Sequence, residues 1–206
     1  MHDNSRLMFE RYAKPLFAPG MHVLEIGATL ESSTYRRSVG DPSITWETLD
    51  IADGPGVSHV ARDEYRYPLP DDRYDVVISG QVAEHVRQIW RWMGELRRIV
   101  KPGGAVITIS PISWPYHEAP VDCWRLYPEA MGALCEAADL KLELCRWESL
   151  EAQRYLRVRP GRGRVSSSAP SRRRYAIYRA LSLVGYPVEV AYDMLSVARK
   201  PLAHGA

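Results

Sequence analysis

Short apolar runs recur along the chain and alternate with segments of helical spacing. Seven runs have the length and pattern of strands, and they span residues 21–26, 43–50, 56–61, 74–79, 105–110, 140–147 and 187–200. The run YDVVIS at 74–79 is almost entirely apolar, which is typical of a strand covered on both faces of its sheet. These runs predict a sheet with a buried centre.

Helical spacing lies between the strands. Over residues 82–100, apolar side chains recur every three or four positions, at Val82, Val86, Ile89, Met93, Leu96 and Val100. The stretch KPGG (101–104) ends this helix, and Pro128 favours the first turn of a second one through about residue 138. Strands separated by helices predict a single α/β domain over residues 1–206, with a mostly parallel sheet of six to seven strands and helices on both faces.

Composition narrows the class of protein. Apolar residues make up 46% of the chain and charged residues 25%, which is ordinary for a soluble globular domain. We expect no membrane span and no signal peptide, because no apolar window is long enough for either. Cys123, Cys135 and Cys145 lack the spacing of a metal site, and their odd number suggests reduced thiols in the cytoplasm.

One segment departs from this average composition. Residues 154–179 contain nine arginines and no acid, and they lie between two predicted strands. We interpret the segment as an insertion in the domain, either a lid over an acceptor, a site for phosphate or a solvated loop. Nucleic acid is not favoured as a partner, because no platform of interleaved aromatic residues accompanies the charge. An anionic or nucleotide-linked small substrate and a homodimer both stay open.

Two strand ends carry candidate ligand-binding groups. The first strand ends at Gly27 and the second at Asp50, which is the usual spacing between a glycine turn and an acid that binds a ribose. Thr29 and Ser32 occupy the other glycine positions of a dinucleotide motif, which disfavours NAD and FAD. Asp50 could alternatively be a solvated loop acid. Glu25 would suit an ammonium or sulfonium group of a ligand near this turn, or it could cap local backbone N–H groups.

At this point the chain resembles the class I S-adenosylmethionine (SAM) dependent methyltransferases that act on small molecules. The segment VLEIGA (23–28) resembles their first motif, and LDI (49–51) resembles their ribose motif. Residues 61–79 are similar to the stretch in which an acid contacts adenine, and residues 81–86 and 95–104 are similar to the helix and turn that follow. The resemblance implies SAM as the cofactor and a Rossmann-like sheet whose last strand, here 187–200, is antiparallel.

The resemblance also implies roles for ten residues. Near the methionine part of SAM it places Glu25, Gly27 and Ala28, and on the ribose and adenine it places Asp50 and Ile51. On the adenine amino group it places Asp63, with the backbone of Glu64 nearby, and along the cofactor after the fourth strand it places Ser79, Gly80 and Gln81.

The acceptor is expected to bind at residues 110–131, which resemble the H-x-x-P-x-D-x-W-R stretch of some small methyltransferases, several of which act on sugars or secondary metabolites. His117 is the candidate base for a hydroxyl acceptor, and His85 is its rival. The candidate substrate-binding residues are Tyr116, Asp122, Trp124 and Arg125. Alternatively, Arg125 forms a salt bridge with Asp122 or Glu118, and Trp124 belongs to the core.

No metal is predicted, because His117, Glu118 and Asp122 have only loop spacing. Two other functions compete with methyl transfer to a small-molecule hydroxyl. One is a non-catalytic SAM-binding or scaffold protein that acts through the arginine-rich segment. The other is a nicotinamide-dependent oxidoreductase, which the missing glycines disfavour.

Overall fold

The computed structural model describes residues 3–118, 120–151, 172–184 and 191–202. These residues form a seven-stranded sheet in the order β3-β2-β1-β4-β5-β7-β6. The strands are β1 His22–Ile26, β2 Thr45–Asp50, β3 His59–Val60, β4 Tyr74–Gly80, β5 Val100–Ser113, β6 Lys141–Glu148 and β7 Tyr192–Arg199. All seven predicted strands are therefore present, although the part of the last one at 187–190 lies outside the described residues.

The direction of the strands confirms the predicted sheet. Strands β1 to β5 pair in parallel, whereas β7 is antiparallel to both of its neighbours, β5 and β6. The strand order reverses where β1 lies beside β4. In open sheets of this kind, ligands bind at the carboxyl ends of the strands beside such a reversal.

Helices cover both faces of this sheet. The α-helices of the described residues are α1 Asp3–Met8, α2 Thr34–Val39, α3 Ile89–Ile99, α4 Pro128–Ala137 and α5 Arg172–Leu183. One apolar core includes Trp92 of α3 and Met131 of α4, and a second core includes Phe9 and Tyr35. Among the described residues, no helix combines the length and apolar character needed to cross a bilayer.

Two predicted boundaries differ from the structure. The helix predicted over 82–100 is a short 3₁₀ turn at Ala83–His85 followed by α3, because Val86 has an extended backbone between them. The indole of Trp124 donates a hydrogen bond to the carbonyl of Val86, at 2.7 Å, so that carbonyl serves a tertiary contact. The KPGG stretch ends the helix as predicted, but it belongs to a longer β5.

The arginine-rich insertion predicted at 154–179 lies largely outside the described residues, because residues 152–171 are not described. Its last part belongs to α5. The insertion therefore stays a prediction, as does its proposed role as a lid or phosphate site.

Candidate cofactor and acceptor site

A cleft of about 270 Å³ opens at the carboxyl ends of β1, β2 and β4, where the strand order reverses. Five of the ten predicted cofactor residues line it: Gly27, Asp50, Ile51, Glu64 and Gln81. The candidate base His85 also lines it, together with Pro120 of the loop after β5. The cleft therefore brings together residues of the predicted cofactor and acceptor sides.

Gly27 turns the backbone away from β1 at the bottom of this cleft. Its φ of +78° lies in the left-handed region, which a side chain rarely tolerates. A Cβ atom at Gly27 would also lie 2.3 Å from the Cγ2 atom of Val82. The turn is held by the N–H of Gly27, which donates to the carbonyl of Leu49 at 2.8 Å. The missing side chain therefore lets the turn after β4 lie directly against the backbone after β1.

Asp50 and Ile51 form the adjoining wall at the end of β2. The Oδ1 atom of Asp50 accepts from the N–H of Ala52 at 3.0 Å, which fixes the carboxylate beside the cleft. Ile51 is 62% exposed although it is a large apolar residue, and it lines the cleft. An exposed apolar side chain next to a carboxylate provides one surface for a flat ring and one acceptor for hydroxyl groups.

Glu25 lies behind the turn and not among the residues that line the cleft. Its side chain is buried, and its Oε2 atom accepts from the hydroxyl of Ser33 and from the indole of Trp46, the latter at 2.9 Å. Burial raises the pKa of Glu25 to about 6, against the opposing effect of these two hydrogen bonds. Ser33 also caps α2 by accepting from the N–H of Arg36. The role of Glu25 is therefore structural, but its donors are two side chains and not the backbone N–H groups of the alternative, and it connects β1, β2 and the start of α2.

Four other predicted cofactor residues do not line the cleft either: Ala28, Asp63, Ser79 and Gly80. The carboxylate of Asp63 accepts from the N–H of Tyr65, at 2.7 Å, in an exposed turn. A Cβ atom at Gly80 would meet the hydroxyl of Tyr35, so this glycine serves close packing. Ser79 is buried, and its hydroxyl has no hydrogen-bond partner among the described residues.

Gln81 connects the cleft to the start of the chain. Its backbone has a φ of +59°, which is uncommon for a residue other than glycine. Its side-chain amide donates to the hydroxyl of Ser5 at 3.0 Å and to the carboxylate of Asp193 at 3.1 Å. The conformation of this cleft residue is therefore held by α1 and β7.

The loop after β5 is docked on the turn after β4. The N–H of Cys123 donates to the carbonyl of Glu84 at 2.7 Å, and the Nδ1 atom of His85 lies 2.5 Å from the carbonyl of Val121. With the indole of Trp124 on the carbonyl of Val86, these contacts attach the loop to three successive residues of the turn, 84 to 86. The acceptor loop and the turn at 84–86 therefore form one unit.

The candidate substrate-binding residues mostly bind one another within this loop. Arg125 donates two hydrogen bonds to Asp122, at 2.5 and 2.7 Å, and these lower the pKa of Asp122 to about 2. Arg125 also donates to the carbonyl of Trp114. Trp124 packs against the core, while Tyr116 is 72% exposed and its hydroxyl donates to Glu118. These contacts match the alternatives of a loop salt bridge and a core tryptophan.

The two rival bases lie side by side. The ring centroids of His85 and His117 are 5.0 Å apart, with the rings nearly perpendicular. Beside them, Glu84 is fully buried, and burial raises its pKa to about 7. Neither of its carboxylate oxygens has a hydrogen-bond partner among the residues that the structure describes. Sequence analysis did not single out Glu84, although an acid inside the apolar pattern VAEHV was a usable signal.

Sequence analysis also missed most of the apolar lining of the cleft. The side chains concerned are those of Leu49, Ala61, Tyr67, Val82, Val86 and Trp92. Val82 and Val86 were assigned to the apolar face of a helix. Tyr67 offered no periodic signal; in the structure it lines the cleft beside Trp92, whose indole donates to its hydroxyl at 2.7 Å.

Comparisons with known proteins agree with this geometry. Residues 41–108 match a family model described as a methyltransferase domain. An uncharacterized methyltransferase of Mycobacterium ulcerans (strain Agy99) is 41% identical over 56 residues, which are 27% of this chain and 22% of that protein. The match therefore spans about a fifth of the length of this curated relative.

Solved structures share the fold over almost the whole chain. A SAM dependent methyltransferase from Archaeoglobus fulgidus has a TM-score of 0.58 at 18% identity, over 95% of this chain and 92% of that one. A SAM dependent methyltransferase from Aquifex aeolicus has a TM-score of 0.56 at 16% identity, over 96% and 94%. The chain therefore has the predicted Rossmann-like fold of these structures, and its residues 41–108 are similar to a methyltransferase domain.

Proposed function

From its class I methyltransferase fold and the methyltransferase-domain match of residues 41–108, we propose that this protein transfers a methyl group from SAM to a small-molecule acceptor. SAM would supply an activated methyl group on its sulfonium. The observation that carries the proposal is the cleft itself, which places Gly27, Asp50 and His85 around one space.

The residues of the cleft fit this cofactor. The carboxylate of Asp50 would accept from the ribose hydroxyls, and the exposed side chain of Ile51 would cover one face of the adenine. The glycine turn at Gly27 permits close approach of the backbone, and Gln81 would contact the cofactor from the β4 side. The carboxylate of Asp50 is negative and only accepts hydrogen bonds, so it suits the hydroxyls of a ribose better than a phosphate.

Two of the predicted cofactor residues that do not line the cleft, Glu25 and Asp63, would support it from behind or from beside it. Glu25 would hold the first turn of α2 and the end of β1 through Ser33 and Trp46. Asp63 would order the turn that presents Glu64, since Glu64 lines the cleft and Asp63 does not.

On the acceptor side we propose a hydroxyl oxygen of a sugar or a secondary metabolite. Such a hydroxyl has to lose its proton as the methyl group is transferred, and histidine is the side chain suited to this near neutral pH. His85 lines the cleft and the ring of His117 packs against that of His85, which supports a role for both rings in assisting proton removal. The Asp122–Arg125 pair would position His117, because the backbone N–H of His117 donates to Asp122 at 2.9 Å.

Incubation with labelled SAM and a fractionated metabolite extract tests the proposal. We expect label to appear as a methyl ether in a small-molecule product, with the demethylated cofactor and one proton released in equal amount. The Asp50→Ala variant, measured in parallel, should lose this activity together with SAM affinity. SAM binding without turnover on any fraction would instead support the non-catalytic alternative.

A further inference from the structure

Three groups that bind metals in proteins converge beside the cleft. They are the carboxylate of Glu84 and the rings of His85 and His117, and one ligand atom from each lies within 4.8 Å of the other two. The Nε2 atom of His85 is 3.8 Å from the Oε1 atom of Glu84. Glu84 and His85 come from the turn after β4, and His117 comes from the docked loop after β5.

Hydrogen bonds at Nδ1 determine which nitrogen of each ring can bind a cation. The Nδ1 atom of His85 lies 2.5 Å from the carbonyl of Val121, and that of His117 lies 3.2 Å from the carbonyl of Pro115. A carbonyl oxygen only accepts, so each Nδ1 carries the hydrogen and each neutral ring has its lone pair on Nε2. Metal-binding histidines are commonly held in this way, with the other ring nitrogen donating to a carbonyl.

Glu84 is an independent indication of a cation-binding site. Its side chain is fully buried, and both carboxylate oxygens lack a hydrogen-bond partner among the described residues. A carboxylate in such a place is costly unless a donor or a cation balances it. The guanidinium of Arg125 acts on Glu84 through its charge alone, because its hydrogen bonds go to Asp122 and to carbonyl groups of the loop.

We propose that Glu84, His85 and His117 bind a divalent transition-metal cation of the zinc type. Two imidazoles and one carboxylate are a ligand set that such cations accept, with further positions left for an exchangeable ligand. Ligand atoms around zinc are about 3.4 Å apart, given bonds of about 2.0–2.1 Å, so the cluster has to contract slightly. The side chain of His117 is 38% exposed and has room to make that movement.

This site differs from the one weighed in the sequence analysis. That set consisted of His117, Glu118 and Asp122, and the prediction of no metal rested on their loop spacing. In the structure Asp122 is bonded to Arg125, and Glu118 accepts from Tyr116. The two other ligands are instead Glu84 and His85, which the docking of the loop brings beside His117.

The role of the cation rests on the proposed function, whereas its binding does not. Because His85 also lines the cleft, an acceptor hydroxyl could occupy an open position on the cation and lose its proton to solvent more easily. The two histidines would then promote ionisation as metal ligands and would not take up the proton themselves.

Metal titration of the chelator-treated protein tests the proposal without turnover. We expect Co²⁺ to bind with one-to-one stoichiometry and to give the visible absorption of a cation with nitrogen and oxygen ligands, and Zn²⁺ to displace it. Glu84→Gln and His117→Asn should each weaken binding at least about tenfold. Glu118→Gln is the matched control, because this exposed acid neighbours His117 but bonds Tyr116, and it should bind Co²⁺ as the unmodified chain does.

The absence of stoichiometric binding, or equal binding by the His117→Asn and unmodified proteins, would overturn the metal site. His117→Asn keeps the test decisive if Glu84→Gln does not fold, since His117 is half-exposed in a surface loop. SAM affinity measured by calorimetry on the same samples separates the two proposals. Intact SAM binding without metal binding removes only the metal site, and loss of SAM binding in the unmodified protein removes the proposed function.

Discussion

Asp122 and Arg125 face each other through two hydrogen bonds, at 2.5 and 2.7 Å, and this pair holds the loop that carries His117. The carboxylate also accepts from the backbone N–H of His117. The pair therefore determines where the ring of His117 lies relative to His85. A role in loop geometry and a role in binding an anionic acceptor make different predictions for substitutions at Arg125.

Arg125→Ala should loosen the acceptor loop. Loss of charged hydrogen bonds to a buried carboxylate typically costs about 1.5–3 kcal/mol, and the rest of the domain is not involved. We expect faster hydrogen exchange in the loop between β5 and α4, lower turnover and unchanged SAM affinity. Arg125→Lys keeps the charge but not the two-pronged geometry, so it should resemble Arg125→Ala. Full activity of Arg125→Lys on an anionic acceptor would favour direct substrate binding.

Asp50→Ala should weaken SAM binding by about 1.5–3 kcal/mol, because hydrogen bonds from the ribose to a charged carboxylate would be lost. That loss is about a tenfold to hundredfold rise in Kd, which calorimetry resolves. Asp53→Ala is the matched control, since Asp53 is an exposed acid three residues further on and does not line the cleft. The same Kd in both variants would contradict the ribose assignment.

His117→Ala should lower turnover by about a hundredfold or more while SAM affinity stays nearly intact, because loss of a group that assists proton removal has that order of effect. His85→Ala should lower turnover similarly, since the two rings adjoin, and it should also affect cofactor binding because His85 lines the cleft. Single-turnover kinetics with a saturating acceptor provide the measurement. Unchanged rates in both variants would mean that the acceptor is already ionised or nucleophilic.

Gly27→Ala should destabilise the fold by two separable effects. The φ of +78° costs about 1–2 kcal/mol for a residue with a Cβ atom, and the contact of 2.3 Å with Val82 adds a steric cost. Val82→Ala in the same chain should relieve the second cost only. A double-mutant cycle from urea denaturation checks this. Additive free energies of unfolding would show that the two residues are not in contact.

Glu25 should make stability fall as pH rises from about 4.5 to about 6. Its pKa is raised in the folded state, from 4.5 to about 6, so the folded protein binds more protons than the unfolded chain in that interval. Glu25→Gln removes this dependence, and its stability relative to the unmodified protein should improve by about 2 kcal/mol between pH 4.5 and 7. Acids common to both proteins cancel in that difference. The exposed Glu129→Gln variant should show no such change.

The periodic part of the fold was predictable from the sequence, because the central strands β1, β4 and β5 contain runs of mostly apolar residues that are buried. The spacing of Gly27 and Asp50 likewise predicted where the cleft lies. The break between the 3₁₀ turn and α3 was not predictable, because the indole of Trp124 stabilises it from a distant part of the chain. The short helix α2 was missed for a similar reason, since Ser33 caps it while bonded to the buried Glu25.

The acceptor side was only half predictable. His85 and His117 were recognised as rivals from their residue type, but their proximity depends on the docking of the loop after β5. Glu84 was missed because the sequence does not show that its carboxylate is buried without a hydrogen-bond partner among the described residues.

The docking of that loop also bears on how acceptor preference could change over evolution. The carbonyl of Val121 and the N–H of Cys123 make two of the contacts, and neither involves the side chain of its own residue. Substitutions at positions 121 and 123 can therefore alter the surface beside the cleft while the loop keeps its place. Related chains could diverge in the molecules they modify through these two positions, and a library restricted to them would preserve the shared scaffold.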